Sequence, residues 1–381
     1  QNTTGSSNTA VGSEALESNT TGAQCVAVGL RALEANTTGN YNTAIGSQTL
    51  QANTDGTLNT AIGLQALEAN VSGQKNTACG VEALQANLAS NNTAFGRRAL
   101  MANTTGTLQV AIGQGALETV TTSSSNTAVG CNALNLNTGS QNTAVGDAAL
   151  TANTSASYLT AIGANALMSN TTGVRNVAIG YEALRVNVTG GSNTACGYSA
   201  LENNTGDANS GFGNDALRSN TSGEKNTAIG NEALENNTTA SFNTAVGHHA
   251  LTTCTTGHIN TAVGNQAGED LSTGQSNVFV GASAGANVTT GSFNVLLGEA
   301  AAAGLQEGSQ NICIGHDSGR SSSPTGNLTS ESNQICMGNN THTAFKCKIS
   351  LTVTSDKRDK TDITDFTHGL SWITKLRPVT Y

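Results

Sequence analysis

The residues with the clearest potential for chemistry lie near the C-terminus, in the segment 355–363, which reads Ser-Asp-Lys-Arg-Asp-Lys-Thr-Asp-Ile. Charged side chains dominate this segment, although they make up only 11% of the whole chain. A serine hydroxyl becomes a nucleophile when a base lies beside it, and a lysine can be that base if burial lowers its pKa. The segment therefore holds the residue types of a serine–lysine dyad and marks a module distinct from the rest of the chain.

A second motif follows this segment at 376–381, Leu-Arg-Pro-Val-Thr-Tyr. With both motifs, 345–381 resembles the intramolecular chaperone of phage endosialidases, tailspikes and tail fibres. The hallmark of that family is a Ser-Asp-x-Arg-x-Lys segment followed by a helix that ends near Leu-Arg-Pro-Val-x-Tyr. The resemblance implies an α-containing module that drives trimerisation and is released by self-cleavage just before the serine. Carried over, Ser355 is the nucleophile that attacks the Thr354 carbonyl, and Lys360 is the base.

An alternative reading of this module stays open. The family continues with further helical sequence where this chain stops, so 345–381 is the start of a truncated domain. In the alternative, the module is not cleaved and serves folding alone. Ser355 and Lys360 are then ordinary surface polar residues.

Other residues of chemical interest form weaker patterns. His248 and His249 are adjacent, and neighbouring strand residues point to opposite faces, so we interpret the pair as part of a surface loop. Acidic residues such as Glu14, Glu17 and Glu34 are spread over exposed positions of a repeat, without the separate carboxylate pair of a glycosidase. Asn-x-Thr sequons recur with the same repeat and are interpreted as its by-product. We predict no metal, no cofactor and no activity on an external substrate.

The composition argues against two further classes of function. The formal net charge is −9, unlike the basic surface of a nucleic-acid-binding protein. No apolar run reaches the roughly 18 residues that indicate a transmembrane helix. We therefore predict no nucleic-acid partner and no membrane insertion. The chain begins in mid-repeat, so we expect targeting signals and further sequence to lie outside it.

The eight cysteines form no Cys-x-x-Cys pair and no zinc spacing. Four of them, Cys79, Cys196, Cys313 and Cys336, fall on strand positions of the repeat, where cysteine behaves as a small hydrophobic residue. We expect them to be reduced core residues, in a protein that assembles in the reducing cytoplasm of a host cell.

A repeat of 17 residues accounts for most of the chain. The glycine that closes a Thr-Ala-Val-Gly unit recurs 19 times from Gly12 to Gly315, at spacings of 17 apart from three of 16, and a displaced copy at Gly338 follows after 23. Twenty copies of one unit predict a stacked array. The fold class is all-β, a parallel β-solenoid of the β-roll or β-prism type. Stacking at about 4.8 Å per coil gives a rod of about 90–100 Å.

The strand residues form three columns, named here by their commonest residue. The threonine column starts at Thr9 and the valine column at Val11, both on one strand face, while the alanine column starts at Ala10 on the other. We expect the leucines after the glycine, such as Leu16, to fill the coil interior together with the valine column. A small residue in every coil of the outer face then suggests that another backbone packs against the alanine column. This predicts a homo-oligomer with its chains side by side.

Two further patterns concern the turns and the domain boundaries. The asparagine of the Asn-Thr-Thr-Gly turn recurs from Asn19 onward, and we expect it to hydrogen-bond the coils above and below, as asparagine ladders do in cross-β stacks. After Gly264 the leucine is replaced, as in Ala267-Gly268, while the alanine column takes larger residues such as Phe279. We divide the chain into a regular shaft (1–263), a transition or cap (264–344) and the start of the chaperone (345–381).

The repeats, over about 1–320, resemble the Asn-Thr-Ala-x-Gly-x-x-Ala-Leu arrays of tail-fibre-like proteins from marine phages and bacteria. More distantly, they resemble the β-roll heads of trimeric autotransporter adhesins. The resemblance implies a homotrimer that forms the shaft of a viral tail fibre in the virion. Its partners would be other virion tail proteins and a host cell-surface receptor, a glycan or an outer-membrane component.

Three other functions stay open at this point. A trimeric adhesin on a bacterial cell surface is the main alternative. A polysaccharide-degrading tailspike would require a clustered carboxylate pair. Binding to ice or a mineral would require the threonine rows to face solvent instead of the core.

Overall fold

The computed structural model describes residues 2–344, and every regular element in this part of the chain is a short β-strand. Twenty strands of three residues each form one parallel sheet. No helix that could cross a membrane occurs among the described residues. The strands are β1 (Thr9–Val11), β2 (Val26–Val28), β3 (Thr43–Ile45), β4 (Thr60–Ile62), β5 (Thr77–Cys79), β6 (Thr93–Phe95), β7 (Val110–Ile112), β8 (Thr127–Val129), β9 (Thr143–Val145), β10 (Thr160–Ile162), β11 (Val177–Ile179), β12 (Thr194–Cys196), β13 (Ser210–Phe212), β14 (Thr227–Ile229), β15 (Thr244–Val246), β16 (Thr261–Val263), β17 (Val278–Val280), β18 (Val295–Leu297), β19 (Ile312–Ile314) and β20 (Ile335–Met337).

Each strand pairs with the next strand along the chain, so every coil adds one strand to the sheet. In β3 and β4, Thr43 lies opposite Thr60 and Ile45 opposite Ile62. The pairing continues across the 23-residue spacing, because β19 pairs with β20 in the same register. The predicted parallel β-solenoid of about twenty 17-residue coils is therefore confirmed.

The turns also bond from coil to coil. The amide of Leu33 donates to the Thr49 carbonyl (3.0 Å), and the amide of Thr37 donates to the Thr54 carbonyl (2.9 Å). These bonds extend the hydrogen-bond ladder around the side of the coil that has no regular strand. Because buried backbone groups need partners, this arrangement lets a coil with only three strand residues pack tightly on its neighbours.

The glycine that ends each strand is required by its surroundings. Gly63 has a φ of +127°, and a Cβ placed on it would lie 2.5 Å from the carbonyl oxygen of Gly80 in the next coil. Only glycine tolerates both the backbone angle and the close approach. The period of the sequence is thus set by a steric condition that every coil repeats.

The buried leucine of each coil also has a left-handed backbone. Leu33 and Leu67 both have a φ of 53° and are completely buried. A non-glycine residue in this conformation costs of the order of 1–3 kcal/mol. Burial of the side chain and the backbone bonds to the next coil offset that cost.

The interior of the coil lies behind the alanine column, so the expected orientation of the strands is wrong. Ala44 and Ala61 are 0% exposed, whereas Ile45 and Ile62 are 39% exposed. The predicted burial of the leucines is confirmed, but they pack against alanine and not against the valine column. Gly211, which occupies the alanine column in β13, shows how little space there is, since an added Cβ would lie 3.3 Å from Cγ of Leu201. The coil closes too tightly for a β-branched residue at this position.

This reversal removes one argument for an oligomer. The alanine column is small because it faces the leucines of its own chain. It does not form a surface for a second backbone. A prediction of association must therefore rest on a different face.

Asparagine ladders complete the interior. The predicted turn ladder is confirmed, since Asn36 Nδ2 donates to Asn19 Oδ1 (2.9 Å) and Asn53 Nδ2 donates to Asn36 Oδ1 (2.8 Å). A second ladder, which was not predicted, precedes each strand. There, the backbone amide of Asn59 donates to Oδ1 of Asn42 (3.0 Å). Each of these asparagines occupies a buried position of the interior, and its side chain hydrogen-bonds to the neighbouring coil.

The 16-residue coils lack one residue of the turn. In a regular coil, Asn70 Nδ2 bonds the Gly73 carbonyl three residues on, but in a short coil Asn87 Nδ2 bonds the Ala89 carbonyl two residues on. The strands keep their register, with Thr77 opposite Thr93. The local cost is a break in the turn ladder, because Asn70 Oδ1 has no hydrogen-bond partner in the described chain.

Larger apolar residues enter the interior near the C-terminal end of the array. The alanine column continues as Phe279, Leu296, Cys313 and Cys336, and all four are buried. The increase in size that the sequence indicated after Gly264 is therefore present. The predicted chaperone, 345–381, lies outside the described residues.

Candidate functional surface

An uncharged surface runs along the whole sheet, and we call it the strand face. It consists of the outward side chains of the strands, two per coil. The threonine column contains Thr9, Val26, Thr43, Thr60, Thr77, Thr93, Val110, Thr127, Thr143, Thr160, Val177, Thr194, Ser210, Thr227, Thr244, Thr261, Val278, Val295, Ile312 and Ile335. The valine column contains Val11, Val28, Ile45, Ile62, Cys79, Phe95, Ile112, Val129, Val145, Ile162, Ile179, Cys196, Phe212, Ile229, Val246, Val263, Val280, Leu297, Ile314 and Met337.

The threonines of the strand face differ from those of the turns. In the turns, Thr37 Oγ1 donates to the Thr54 carbonyl (3.0 Å) and Thr20 Oγ1 donates to the Thr37 carbonyl (2.9 Å). The hydroxyls of the strand threonines, such as Thr43 and Thr60, make no hydrogen bond to any described protein atom. Hydrogen bonding within the chain therefore does not explain why threonine recurs on this face.

Two variable columns flank the strand face and add apolar surface. The residue two positions before each strand is often large and exposed, as in Tyr41, Leu108 and Tyr158. On the opposite edge, after the glycine, the rings of Tyr181 and Tyr198 stack with centroids 5.3 Å apart. The flanking columns change from coil to coil and also hold charged residues, whereas the two columns of the strand face hold none.

Most ion pairs lie on a different side of the coil, in the turn that follows the glycine. We call this the charged ridge. Arg31 Nε contacts Glu14 (2.6 Å), and Arg98 Nε contacts Glu82 (2.7 Å). The hydrogen bond that Arg31 donates to the Glu14 carboxylate raises the pKa of the Arg31 guanidinium. Most of the ion-paired side chains therefore lie away from the strand face.

The predicted histidine pair lies on this ridge. His248 and His249 follow the glycine that ends β15, and their rings stack with centroids 3.9 Å apart. The interpretation of the pair as part of a surface loop is confirmed, because both residues lie in the turn that follows the strand. His249 Nε2 contacts Glu232 (2.8 Å) and its Nδ1 contacts Glu269 (3.2 Å). The pair belongs to the ion-pair network of the surface.

Three acidic residues of the first two coils come together on the same ridge. One carboxylate oxygen from each of Glu14, Glu17 and Glu34 lies within 4.8 Å of the others. Exposed positions were predicted for them, but their proximity was not, because it depends on the stacking of successive coils. Arg31 already balances part of this charge through its contact with Glu14.

The cysteines divide into buried and surface thiols. Cys313 and Cys336 are buried in the alanine column, as expected. The prediction is wrong for Cys79 and Cys196, which lie on the valine column and are partly exposed, because that column faces outward. Burial raises the pKa of the Cys254 thiol from its ordinary value of 9.0 to about 12. Cys131, next to the glycine that ends β8, is exposed.

The predicted dyad, Ser355 and Lys360, and the Thr354–Ser355 bond lie outside the described residues. No protein-family model and no curated protein sequence matches this chain. The strand face is therefore the feature of the described chain from which a function can be argued.

Proposed function

We propose that this protein is the shaft of a homotrimeric viral tail fibre, which projects a host-binding surface away from the particle. Its partners are then other tail proteins and a glycan or outer-membrane component of the host. The trimeric module at 345–381 assembles the chains in the host cytoplasm. The observation that carries the proposal is the rigid array of twenty coils, each bonded to the next on every side.

The energetics of the array favour a mechanical role. A stacked repeat contacts only its neighbours, so its length is limited by the number of units and not by the size of one core. At about 4.8 Å per coil, twenty strands extend roughly 90 Å. The outward side chains are held by this frame at fixed spacings, which suits a spacer or an extended binding surface.

The fibre is tested by locating the protein on particles. Antibody raised against the purified solenoid is applied to virus particles from the source culture and visualised by immunogold electron microscopy. Label on projecting fibres supports the proposal. Label on bacterial cell surfaces in the absence of particles supports the adhesin instead and contradicts the viral fibre.

Self-cleavage by the chaperone is tested separately. The full-length gene product is compared with its Ser355→Ala variant by mass spectrometry under denaturing conditions. A wild-type fragment that ends at Thr354, together with an intact variant, supports a role of Ser355 as nucleophile. A Lys360→Ala variant should also stay intact, because Lys360 is proposed as the base. An uncleaved wild-type chain reduces both residues to structural ones.

One observation favours a second candidate function. Ice or mineral binding was expected to require threonine rows that face solvent, and the threonine column does point outward with unbonded hydroxyls. A thermal hysteresis measurement on the purified protein tests this candidate. Ice crystals that grow normally in its presence exclude ice as the ligand.

A further inference from the structure

The strand face has the composition of a buried surface, although it is exposed in the single chain. All twenty residues of the valine column are apolar, and the threonine column holds only Thr, Val, Ser and Ile. Ile112, Ile162 and Ile229 are each about two-fifths exposed. β-Branched residues are common in strands, but that preference does not explain the absence of every charged residue from forty outward positions. Large exposed apolar patches mark interaction sites.

We propose that the strand face is the surface along which identical chains associate lengthwise, parallel and in register. This inference rests on the proposed trimeric fibre and assigns its interface. The occupant of the face is thus a second copy of this chain. The interface is the opposite side of the strand from the one that the alanine column suggested.

The area of the strand face matches this occupant. Two columns over twenty coils cover about 90 Å by about 10 Å, on the order of 900 Å². A standard protein–protein interface buries about 800 Å² on each partner. The flanking columns enlarge the apolar surface, since Leu58, Phe242 and Ile259 are between 50% and 59% exposed. The charged ridge lies on a different side, so association buries few charges.

The C-terminal end of the face indicates the direction of the chains. In the last four coils the threonine column contains no threonine and continues as Val278, Val295, Ile312 and Ile335. Ile335 is 66% exposed and Met337 is 53% exposed. Parallel chains bring these most apolar coils together at one end, next to the sequence in which the chaperone is proposed. Antiparallel chains would place them against the threonines of the first coils.

Native cysteines report on this interface without a change of sequence. Cys79 and Cys196 lie on the strand face, and Cys131 is exposed beside it. The full chain is alkylated with N-ethylmaleimide, and the modified peptides are quantified by mass spectrometry. Because reaction follows exposure, we expect Cys79 and Cys196 to react at least about tenfold more slowly than Cys131. Oxidation with diamide should yield Cys79–Cys79 and Cys196–Cys196 disulfides, which parallel chains in register allow.

A charged variant separates the interface from the fold. The triple substitution Ile112→Lys, Ile162→Lys and Ile229→Lys places three charges on the strand face at positions where a lysine can extend into solvent. Because the charges oppose contact between strand faces, we expect Cys79 and Cys196 to react faster in this variant than in the wild type. Its circular dichroism spectrum should match that of the wild type, since the substituted side chains lie outside the coil interior.

The control variant carries the same change at apolar residues of similar exposure in the turns. Val71→Lys, Leu136→Lys and Val188→Lys lie outside the strand face, and in this variant Cys79 and Cys196 should react as slowly as in the wild type. A wild-type trimer in which Cys79 and Cys196 react as fast as Cys131 overturns this interface but leaves the trimeric fibre in place. A monomeric wild type overturns both, and thermal hysteresis by that monomer would assign the face to ice.

Discussion

Phe279 fills the space that the side chain of a leucine occupies in the regular coils, because residue 268 is a glycine. A Cβ on Gly268 would lie 2.5 Å from Cδ2 of Phe279. Gly268 has a φ of 61°, close to the 52° of Leu251 in the coil before it, so the backbone does not require glycine there. Glycine thus replaces leucine at 268 and phenylalanine replaces alanine at 279, so the interior stays filled.

This pair gives a first prediction. Phe279→Ala should destabilise its coil by about 3–5 kcal/mol through the cavity that it leaves. Gly268→Leu should destabilise it by about 1–3 kcal/mol through overpacking. The double variant restores the residues of a regular coil, so its loss of stability should be smaller than the sum of the losses in the two single variants. Hydrogen exchange of the amides in β16–β18 measures the local stability.

A control isolates the steric term in that prediction. Gly326 also has a positive φ, of 77°, but an added Cβ would meet no atom within 4 Å. Gly326→Ala should therefore cost less than Gly268→Ala. Equal costs would mean that backbone strain, and not contact with Phe279, decides the stability at residue 268.

The two kinds of threonine give a second prediction. Thr37→Val removes a side-chain bond to the next coil and should reduce the free energy of unfolding by about 1 kcal/mol. Thr43→Val removes no bond within the chain and should change it by less than about 0.5 kcal/mol. Valine already occupies the position equivalent to Thr43 at Val26 and Val110. Urea unfolding of both substitutions, each made in the triple lysine variant, compares them with the same contribution from association.

The turn ladder gives a third prediction. Asn53 Nδ2 donates to Asn36 Oδ1 and to the Gly56 carbonyl, and Asn53 Oδ1 accepts from Asn70 Nδ2. Asn53→Ala leaves buried polar groups without partners, each at a cost of about 1–3 kcal/mol. Hydrogen exchange should show faster opening of the coils on both sides. Thr38→Ala, an exposed turn residue nearby, is the control, and a similar effect there would contradict a special role for the ladder.

A fourth prediction concerns pH. The folded chain holds the proton of Cys254 up to about pH 12, whereas the unfolded chain releases it near 9.0. Between these values the folded state binds more protons, so this stabilisation is complete below pH 9 and is lost as the pH rises, by about 1.4 kcal/mol per unit. Cys254→Val should be less sensitive to alkali between pH 9 and 10 than the wild type. Valine is a suitable replacement because Val288 occupies the equivalent buried position.

The control for the pH prediction is an exposed thiol. Cys131→Ser removes an exposed thiol and controls for the loss of a cysteine as such. If Cys254→Val also kept the wild-type dependence, other groups would account for the loss of stability in alkali.

The periodicity of the glycines was enough to predict the solenoid, its strands and the ladder that begins at Asn19. The orientation of the strands could not be predicted from hydrophobicity, because Val and Ile are more apolar than Ala and yet lie outside. The deciding quantity is the space opposite each leucine, which depends on how tightly the coil closes. One feature of the sequence does indicate the orientation of the strands. Where leucine becomes Gly268, alanine becomes Phe279, which indicates that the two positions share one space.

The surface function was also only partly accessible from sequence. The absence of charge from the threonine and valine columns is visible in the repeats, but the valine column was expected to fill the coil interior and not to form a surface. The proximity of Glu14, Glu17 and Glu34 depends on stacking between coils, which brings together residues that are 20 apart in the chain.

The shortened turn at Asn87 has a consequence for how such a protein changes over generations. Because a coil of 16 residues leaves the next strand in register, whole units of slightly different length can be duplicated or lost by recombination within the gene without disturbing their neighbours. Each such event changes the reach of the protein by one strand spacing. Length in this architecture is therefore a heritable trait that varies in discrete steps, independently of the residues displayed at its surface.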